Sequence, residues 1–347
     1  MLLFAAVTFL PIAVTKWSWI SLNVDKPNEI GDTVGGILGP IVGLLGVIVT
    51  FLAFWMQYKA NEKQFIKFDE QDDDTKIERF ENKFYELIKL HRDNVSEFEI
   101  VRNDKKGSLK GRRIFVEMYE ELRLTNFAVR VSNQKLIRDK IVNQNFYSED
   151  DVFKVAYIIF FNGFFRKPIL NEKPNELWQF EILDDKYNNL LNESFAALGQ
   201  IKYQMDNEML SVITLYPDNL IEILRKPKIT YELFRGHHSR LGHYFRGMFQ
   251  MVSYVVNSDG DIIKDKYSYI KTIRAQLSNH EQLLLYYNAL SIYGRPWIER
   301  KYLDEWKMVS NMPIGLADFY IKPKTLFGEK NSKGEFIFEI DEIMSRK

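Results

Sequence analysis

The chain contains no cysteine, which excludes disulfides, thiolate zinc sites and a cysteine nucleophile. It has no net charge either: Lys plus Arg and Asp plus Glu number 47 each, so no global field selects a class of partner. A P-loop, a Gly-x-Ser-x-Gly elbow and a His-Glu-x-x-His helix are all missing from it, and with them the short signatures of phosphate binding, serine acyl transfer and zinc hydrolysis. No cofactor and no metal is expected. The most informative absence is local. From Val34 to Tyr58, VGGILGPIVGLLGVIVTFLAFWMQY, there is no charged side chain and no histidine. That run exceeds the about 20 apolar residues needed to cross hydrocarbon. As a helix rising ~1.5 Å per residue it is roughly 36 Å long, enough to span with some tilt. Without an ionisable group, it is not expected to build an ion pathway alone.

A second apolar segment runs from Met1 to Thr15, and Trp17, Trp19, Ile20 and Leu22 extend it past Lys16. It lacks the basic start and the small-x-small cleavage site of a signal peptide. The expectation is therefore a first transmembrane helix over 2–22, short as it would be if the start were internal, with Trp17 and Trp19 at the interface and Lys16 snorkelling. Together with a second helix over 34–58 it forms a hairpin. The connecting loop, Asn23 to Asp32, contains Pro27 and Gly31, and Asp32-Thr33 reads as the N-cap of the second helix. Beyond the span, Lys59, Lys63 and Lys67 recur every four residues, on one helix face at headgroup level. They favour a two-pass topology with a cytoplasmic C-terminal domain, a bias reduced by Lys16 and Lys26 on the other side.

Gly35, Gly39 and Gly43 repeat at i, i+4, and Gly36 and Gly46 widen the same small face. Such a face lets helix backbones approach closely in lipid. Its occupant is either the first helix of the same hairpin or a second copy of the chain. Pro40 is expected to kink or loosen the helix.

The rest of the chain divides into a stalk or first bundle helix over 59–98 and a helical domain over 99–347. Ile77, Phe80, Phe84, Leu87, His91, Val95 and Phe98 alternate spacings of three and four and form one stripe. His91 lies on that stripe as a core residue rather than a ligand. The basic stretch Arg102 to Arg113, with Gly107 and Gly111, reads as a flexible solvated loop; it has no aromatic to stack bases, so nucleic acid is not an expected partner. Ser148 with Asp151, and Ser278 with Glu281, read as capping boxes. Further helices are expected over His238–Asn257, Ile262–Gln276 and Trp297–Val309. Only Glu335–Ile340, with alternating Phe336, Phe338 and Ile340, reads as a strand. The fold class is mostly α.

Two constellations invite chemistry. His237, His238 and His243 suggest a metal, but separations of five and six residues turn them about 140° and 240° round a helix, away from the i, i+4 step that serves one ion. Arg274 and His280, in RAQLSNH, have the loose arginine-then-histidine spacing of the HEPN ribonucleases, in which histidine serves acid–base chemistry and arginine steadies phosphate. The capping box at Ser278 places them on different elements.

Four segments carry a resemblance: GDTVGGILGPIVGLLGVIVTFLAFWMQ at Gly31–Gln57, FENKFYELIKLHRDNV at Phe80–Val95, GHHSRLGHYFRGMFQMV at Gly236–Val252, and YIKTIRAQLSNHEQLLLYYNAL at Tyr269–Leu290. In these the chain resembles the AbiC-like phage abortive infection family of bacteria. The resemblance implies a two-helix anchor in the bacterial inner membrane, a cytoplasmic helical domain and a role in anti-phage defence. The partners it implies are the lipid bilayer, a homo-oligomer and a phage or defence-system protein as trigger. The chain departs from that family at His280, where similar sequences carry an aromatic. The expected function is a defence effector without a recognisable catalytic site that oligomerises and perturbs the membrane. The alternatives are a tethered HEPN-like ribonuclease and a receptor that recruits another defence protein.

Overall fold

The computed structural model describes residue 9 and residues 27–103, 107–164, 180–206 and 229–346. The expected first membrane helix, 2–22, lies outside the described residues but for Phe9. The chain divides into two compact units, residues 1–78 and 79–347.

The first unit holds most of α1, Pro27–Ser96, a helix of 70 residues. It begins at Pro27, so residues 27–32, expected in a connecting loop, are helical, and Asp32-Thr33 is not the cap. Proline suits a first turn because its ring presets φ and its missing N–H would have had no partner there. The helix is also unbroken at Pro40. This is the one helix among the described residues long and apolar enough to cross a membrane. Its apolar side chains are bare: Phe51, Phe54, Trp55 and Met56 are all more than half exposed. Thr50 turns its hydroxyl back to the Gly46 carbonyl at 2.8 Å, which satisfies it without water. Where the apolar run ends, Lys59 pairs with Glu62 at 2.7 Å and lies over the rings of Trp55 and Tyr58.

In the second unit the same helix turns a single stripe inward. Phe80, Phe84, Ile88, His91 and Val95 are buried; Ile88, rather than Leu87, fills the middle turn. The expected flexible loop after it is instead half hairpin. Strands β1 (Glu99–Val101) and β2 (Ser108–Lys110) pair antiparallel with Ile100 opposite Leu109, and Glu99 binds Ser108 and Lys110, so cross-strand charge pairing tames part of the basic run.

Next comes α2 (Arg113–Arg138), which the sequence reading passes over and which is the central element. It packs against α3 (Glu149–Asn162), α4 (Asn188–Asp206) and α7 (Asn279–Leu290). Between α4 and α7 in the chain lie α5 (His238–Val256) and α6 (Lys266–Ala275). After α7 follow the short α8 (Arg295–Glu299), α9 (Pro323–Phe327) and α10 (Glu339–Ser345). Both capping boxes form, Ser148 with Asp151 and Ser278 with Glu281. The fold is mostly helical.

Three expected boundaries are corrected. Helix α6 starts at Lys266, not Ile262, because Asp265 caps it by accepting from the Ser268 N–H while Asp259 holds a turn through Asp261 and Ile263. The long helix over Trp297–Val309 stops at Glu299, since Lys301 and Lys307 take φ of 56° and 55°, the left-handed region that ends a helix. The tail is not a strand: Ile337 and Phe338 are both buried, which neighbours on a two-faced strand against one core do not achieve. Only a single bridge, Lys330 to Phe336, forms before α10.

Two fully buried glutamates fasten these helices. Glu121 on α2 accepts from the Tyr231 hydroxyl at 2.6 Å, the Phe234 N–H at 2.7 Å and His237 Nε2 at 2.9 Å. One turn earlier, Glu117 accepts from the Thr230 N–H at 2.7 Å. Segment 229–237 is thereby strapped to α2. Glu281, the capping-box residue of α7, accepts from Tyr244 at 3.0 Å and the Ser278 N–H at 2.7 Å, with Arg112 Nε 3.6 Å away. Beside it, His91 packs its ring on Tyr244 at 5.0 Å. Its Nε2 is buried without a hydrogen-bond partner.

Glu121→Ala is expected to lower stability by about 3–5 kcal/mol, because it strands buried Tyr231 and His237. Glu121→Gln should lose less, and denaturant titration of the detergent-solubilised protein measures both; equal stability of wild type and Glu121→Ala would remove the strap from the account. His91 generates a pH prediction. Burial, and then the Arg112 charge, lower its pKa to about 4. The folded state therefore binds fewer protons than the unfolded state between pH 6.5 and 4, so stability is full above 6.5 and falls as the pH drops towards 4. The loss amounts to about 3 kcal/mol. His91→Phe should flatten that slope.

Candidate functional site

Helix α5 is amphipathic. Leu241, Tyr244, Met248, Met251, Val252 and Val255 are buried along one side. On another, His238, Gly242, Arg246 and Gln250 follow at strict i, i+4 steps and line a cavity of about 290 Å³. Phe245 and Phe249 share this wall. Facing them are Phe161 at the end of α3, Asn288 on α7, and Tyr293, Pro296 and Trp297 around the start of α8.

The backbone around the cavity is tightly specified. Gly163 and Gly236 have φ of 80° and 81°, and their strands of chain cross at contact: a Cβ on Gly163 would lie 2.6 Å from the Arg235 carbonyl. No other residue fits there. The His237 N–H reaches the Phe161 carbonyl at 2.8 Å, so α5 starts beside the end of α3. On the opposite wall, Asn288 is buried and donates to the Tyr157 hydroxyl at 2.8 Å. Its carbonyl accepts from the Ser291 hydroxyl at 2.6 Å. Gly294 lies directly on that residue, where a Cβ would collide with it.

The aromatic side chains are braced against one another. Tyr293 accepts from Asn162 at 2.9 Å and packs on Phe161 at 4.6 Å. Trp297 stands edge-on to Phe249 at 5.2 Å, and the Arg300 guanidinium lies 5.3 Å over that same ring. Burial raises the pKa of Tyr293, against the hydrogen bond with Asn162 that lowers it, so its phenol is neutral near pH 7. No carboxylate lines the cavity. Arg246 is exposed and makes no ion pair or hydrogen bond among the described residues, leaving a guanidinium as the charge of the groove.

The histidines of the sequence reading are separated. His237 is buried on Glu121, His238 lies on the groove, its ring edge-on to Phe161 at 5.2 Å, and His243 is exposed. Among the described residues no group of three or more His, Asp or Glu could hold a metal ion. Arg274 ends α6 and donates to the Lys307 carbonyl at 2.9 Å. His280 lies in the first turn of α7 against Tyr119, ring centroids 5.7 Å apart, and burial lowers its pKa. Gly35, Gly36, Gly39, Gly43 and Gly46 have open space where a Cβ would stand; Lys63 and Lys67 are exposed. The sequence reading missed Arg246, Asn288 and Trp297 as a set. The polar i, i+4 ladder from His238 to Gln250 was the available signal; the facing wall had none.

Compared with known proteins, residues 236–316 match the family model described as "Putative phage abortive infection protein". No curated protein and no solved structure matches the chain. The matched segment contains α5 through α8 and every residue lining the cavity except Phe161. Over that segment, about a quarter of its length, the chain is similar to the phage abortive infection family.

Proposed function

We propose that the protein is an abortive-infection effector anchored in the bacterial inner membrane, two-pass with its C-terminal domain cytoplasmic, which stops growth by self-association and perturbation of the bilayer. The observation that carries the reading is the charge-free stretch of α1 from Val34 to Tyr58, whose large side chains from Ile41 onward are exposed but for Leu45. In water that surface is an aggregation liability, whereas in lipid it is at home. The glycine face at Gly35, Gly39 and Gly43 is open, which suits close approach of a second copy. Lys59, Lys63 and Lys67 supply headgroup contacts on the cytoplasmic side. A phage or defence-system protein acts as the trigger on the cytoplasmic domain. Arg274 is engaged with a backbone carbonyl and His280 with Tyr119, occupations that suit helix packing rather than acid–base chemistry on RNA.

Gly39→Leu and Gly43→Leu should each abolish protection in a plaque assay at unchanged membrane abundance, since bulk is added without loss of hydrophobicity. A cytoplasm-active reporter fused after Lys347 should be active in the same cells. Normal plaque reduction by both variants would detach the glycine face from the mechanism, and a periplasm-active fusion would overturn the topology.

The second expectation concerns chemistry. His280→Ala should keep most of the protection and leave total RNA intact during infection, as in wild type. Were His280→Ala and Arg274→Ala both inert at full abundance, with RNA cleaved only in the wild-type culture, a tethered ribonuclease would replace this mechanism.

A further inference from the structure

We propose that the groove between α5 and α8 binds a mononucleotide, its base against the aromatic walls and its phosphate at Arg246 and His238. The size sets the scale. A cavity of about 290 Å³ stands at the low end of ligand pockets, roughly 300–1,000 Å³, large enough for one planar ring system with one anionic group. The walls set the first part of the chemistry. Phe249 and Trp297, their ring planes 83° apart, line one side, and Phe161 with Tyr293 lines the other. A planar heterocycle stacks on such faces whatever its identity.

Charge sets the second part. The lining contains a guanidinium and an imidazole and no carboxylate, so an anion is favoured over a cation. Gly242 brings these two groups together: a Cβ at that position would stand 3.5 Å from Arg246 Nη2 and 3.7 Å from His238 Cδ2. Both heads thus converge over one glycine gap, and the planar fork of Arg246, unpaired among the described residues, is suited to a phosphate. A third feature points to a base edge. Asn288 is 2% exposed, lines the groove and donates through Nδ2 to Tyr157, while its Oδ1 has no hydrogen bond among the described residues. Gln250 on the facing wall adds a second amide. Amides carry both donor and acceptor and so read heterocycle edges.

The test titrates AMP, GMP, CMP and UMP into the full-length protein in lipid nanodiscs by calorimetry, with inorganic phosphate, free adenine and guanine, and a short single-stranded oligonucleotide as further arms. At least one mononucleotide should bind saturably, more tightly than phosphate or free base. Arg246→Gln, a change at an exposed residue, should weaken that affinity about tenfold or more through loss of charge-assisted hydrogen bonds. Gly242→Leu should abolish it by filling the gap. Circular dichroism checks that each variant is folded, and if Gly242→Leu is not, Arg246→Gln decides. Failure of all four nucleotides to bind at millimolar concentration overturns the proposal, as does equal affinity of phosphate or free base, tighter binding of the oligonucleotide, or wild-type affinity in Arg246→Gln. The measurement is made on purified protein without phage, so its outcome is independent of the defence assay.

Discussion

A carboxylate in the interior of a helical domain must find several donors or be neutralised, because the cost of an unpaired buried charge is a large fraction of the net stability of most domains. Glu121 and Glu281 are both fully buried, and the arrangement of the domain is the arrangement that supplies their donors. Glu121 requires Tyr231, the Phe234 N–H and His237 in one place, so the segment before α5 has to lie along α2. Glu281 requires Tyr244 and the Ser278 N–H with Arg112 nearby, so the middle of α5, the start of α7 and the turn after the hairpin converge. With the start and the middle of α5 thus tied, its orientation about its own axis is fixed, and the ladder from His238 to Gln250 faces the groove.

The groove follows from a second constraint, the crowding of aromatic side chains at the ends of α3 and α7. Trp297 stands edge-on to Phe249 and Tyr293 packs at a tilt on Phe161, and rigid rings cannot collapse into the space beside Gly242 as aliphatic chains would. The crossing of Gly163 and Gly236 brings α3 and α5 to backbone contact. Gly294 does the same for α8 against Asn288. A cavity framed in this way is preformed, which is the condition for a ligand to bind without ordering its own site.

What was legible in the sequence was local. The capping boxes at Ser148 and Ser278, the stripe from Phe80 to Val95 and the amphipathic α5 depend on residues within a turn or two of one another, and the structure contains them. Helix α2 escaped notice for a physical reason: its apolar periodicity is interrupted at half-buried Glu117 and buried Glu121, the positions where its carboxylates meet partners more than a hundred residues away. The end of α8 was equally hidden, since Lys301 and Lys307 are good helix formers that tertiary context holds at positive φ. Lys307 is nearly buried and pairs with Glu335 at 2.9 Å, while its carbonyl receives Arg274; neither partner is predictable from the run Trp297–Val309. The groove was half legible, because one wall is one helix and the other is assembled from three elements.

Helix α1 carries two different side-chain patterns on one secondary structure. Between Ile41 and Tyr58 all its large apolar side chains but Leu45 are exposed, and a helix apolar on every face has no polar side to turn to water. From Phe80 onward the apolar positions narrow to a stripe with charged residues between them, the pattern of a helix that buries one side in protein. Between these regimes lie the paired residues Lys76 with Asp72 and Asp73, at 2.7 and 3.3 Å, and the acidic run from Asp69 to Asp74. These charges require water on all sides. The change of pattern is therefore encoded in composition rather than in backbone geometry, which is helical throughout. Only before Tyr58 does the helix carry residues, Pro40 and the glycine ladder, that cost a helix in water most and are common in helices that pack in lipid.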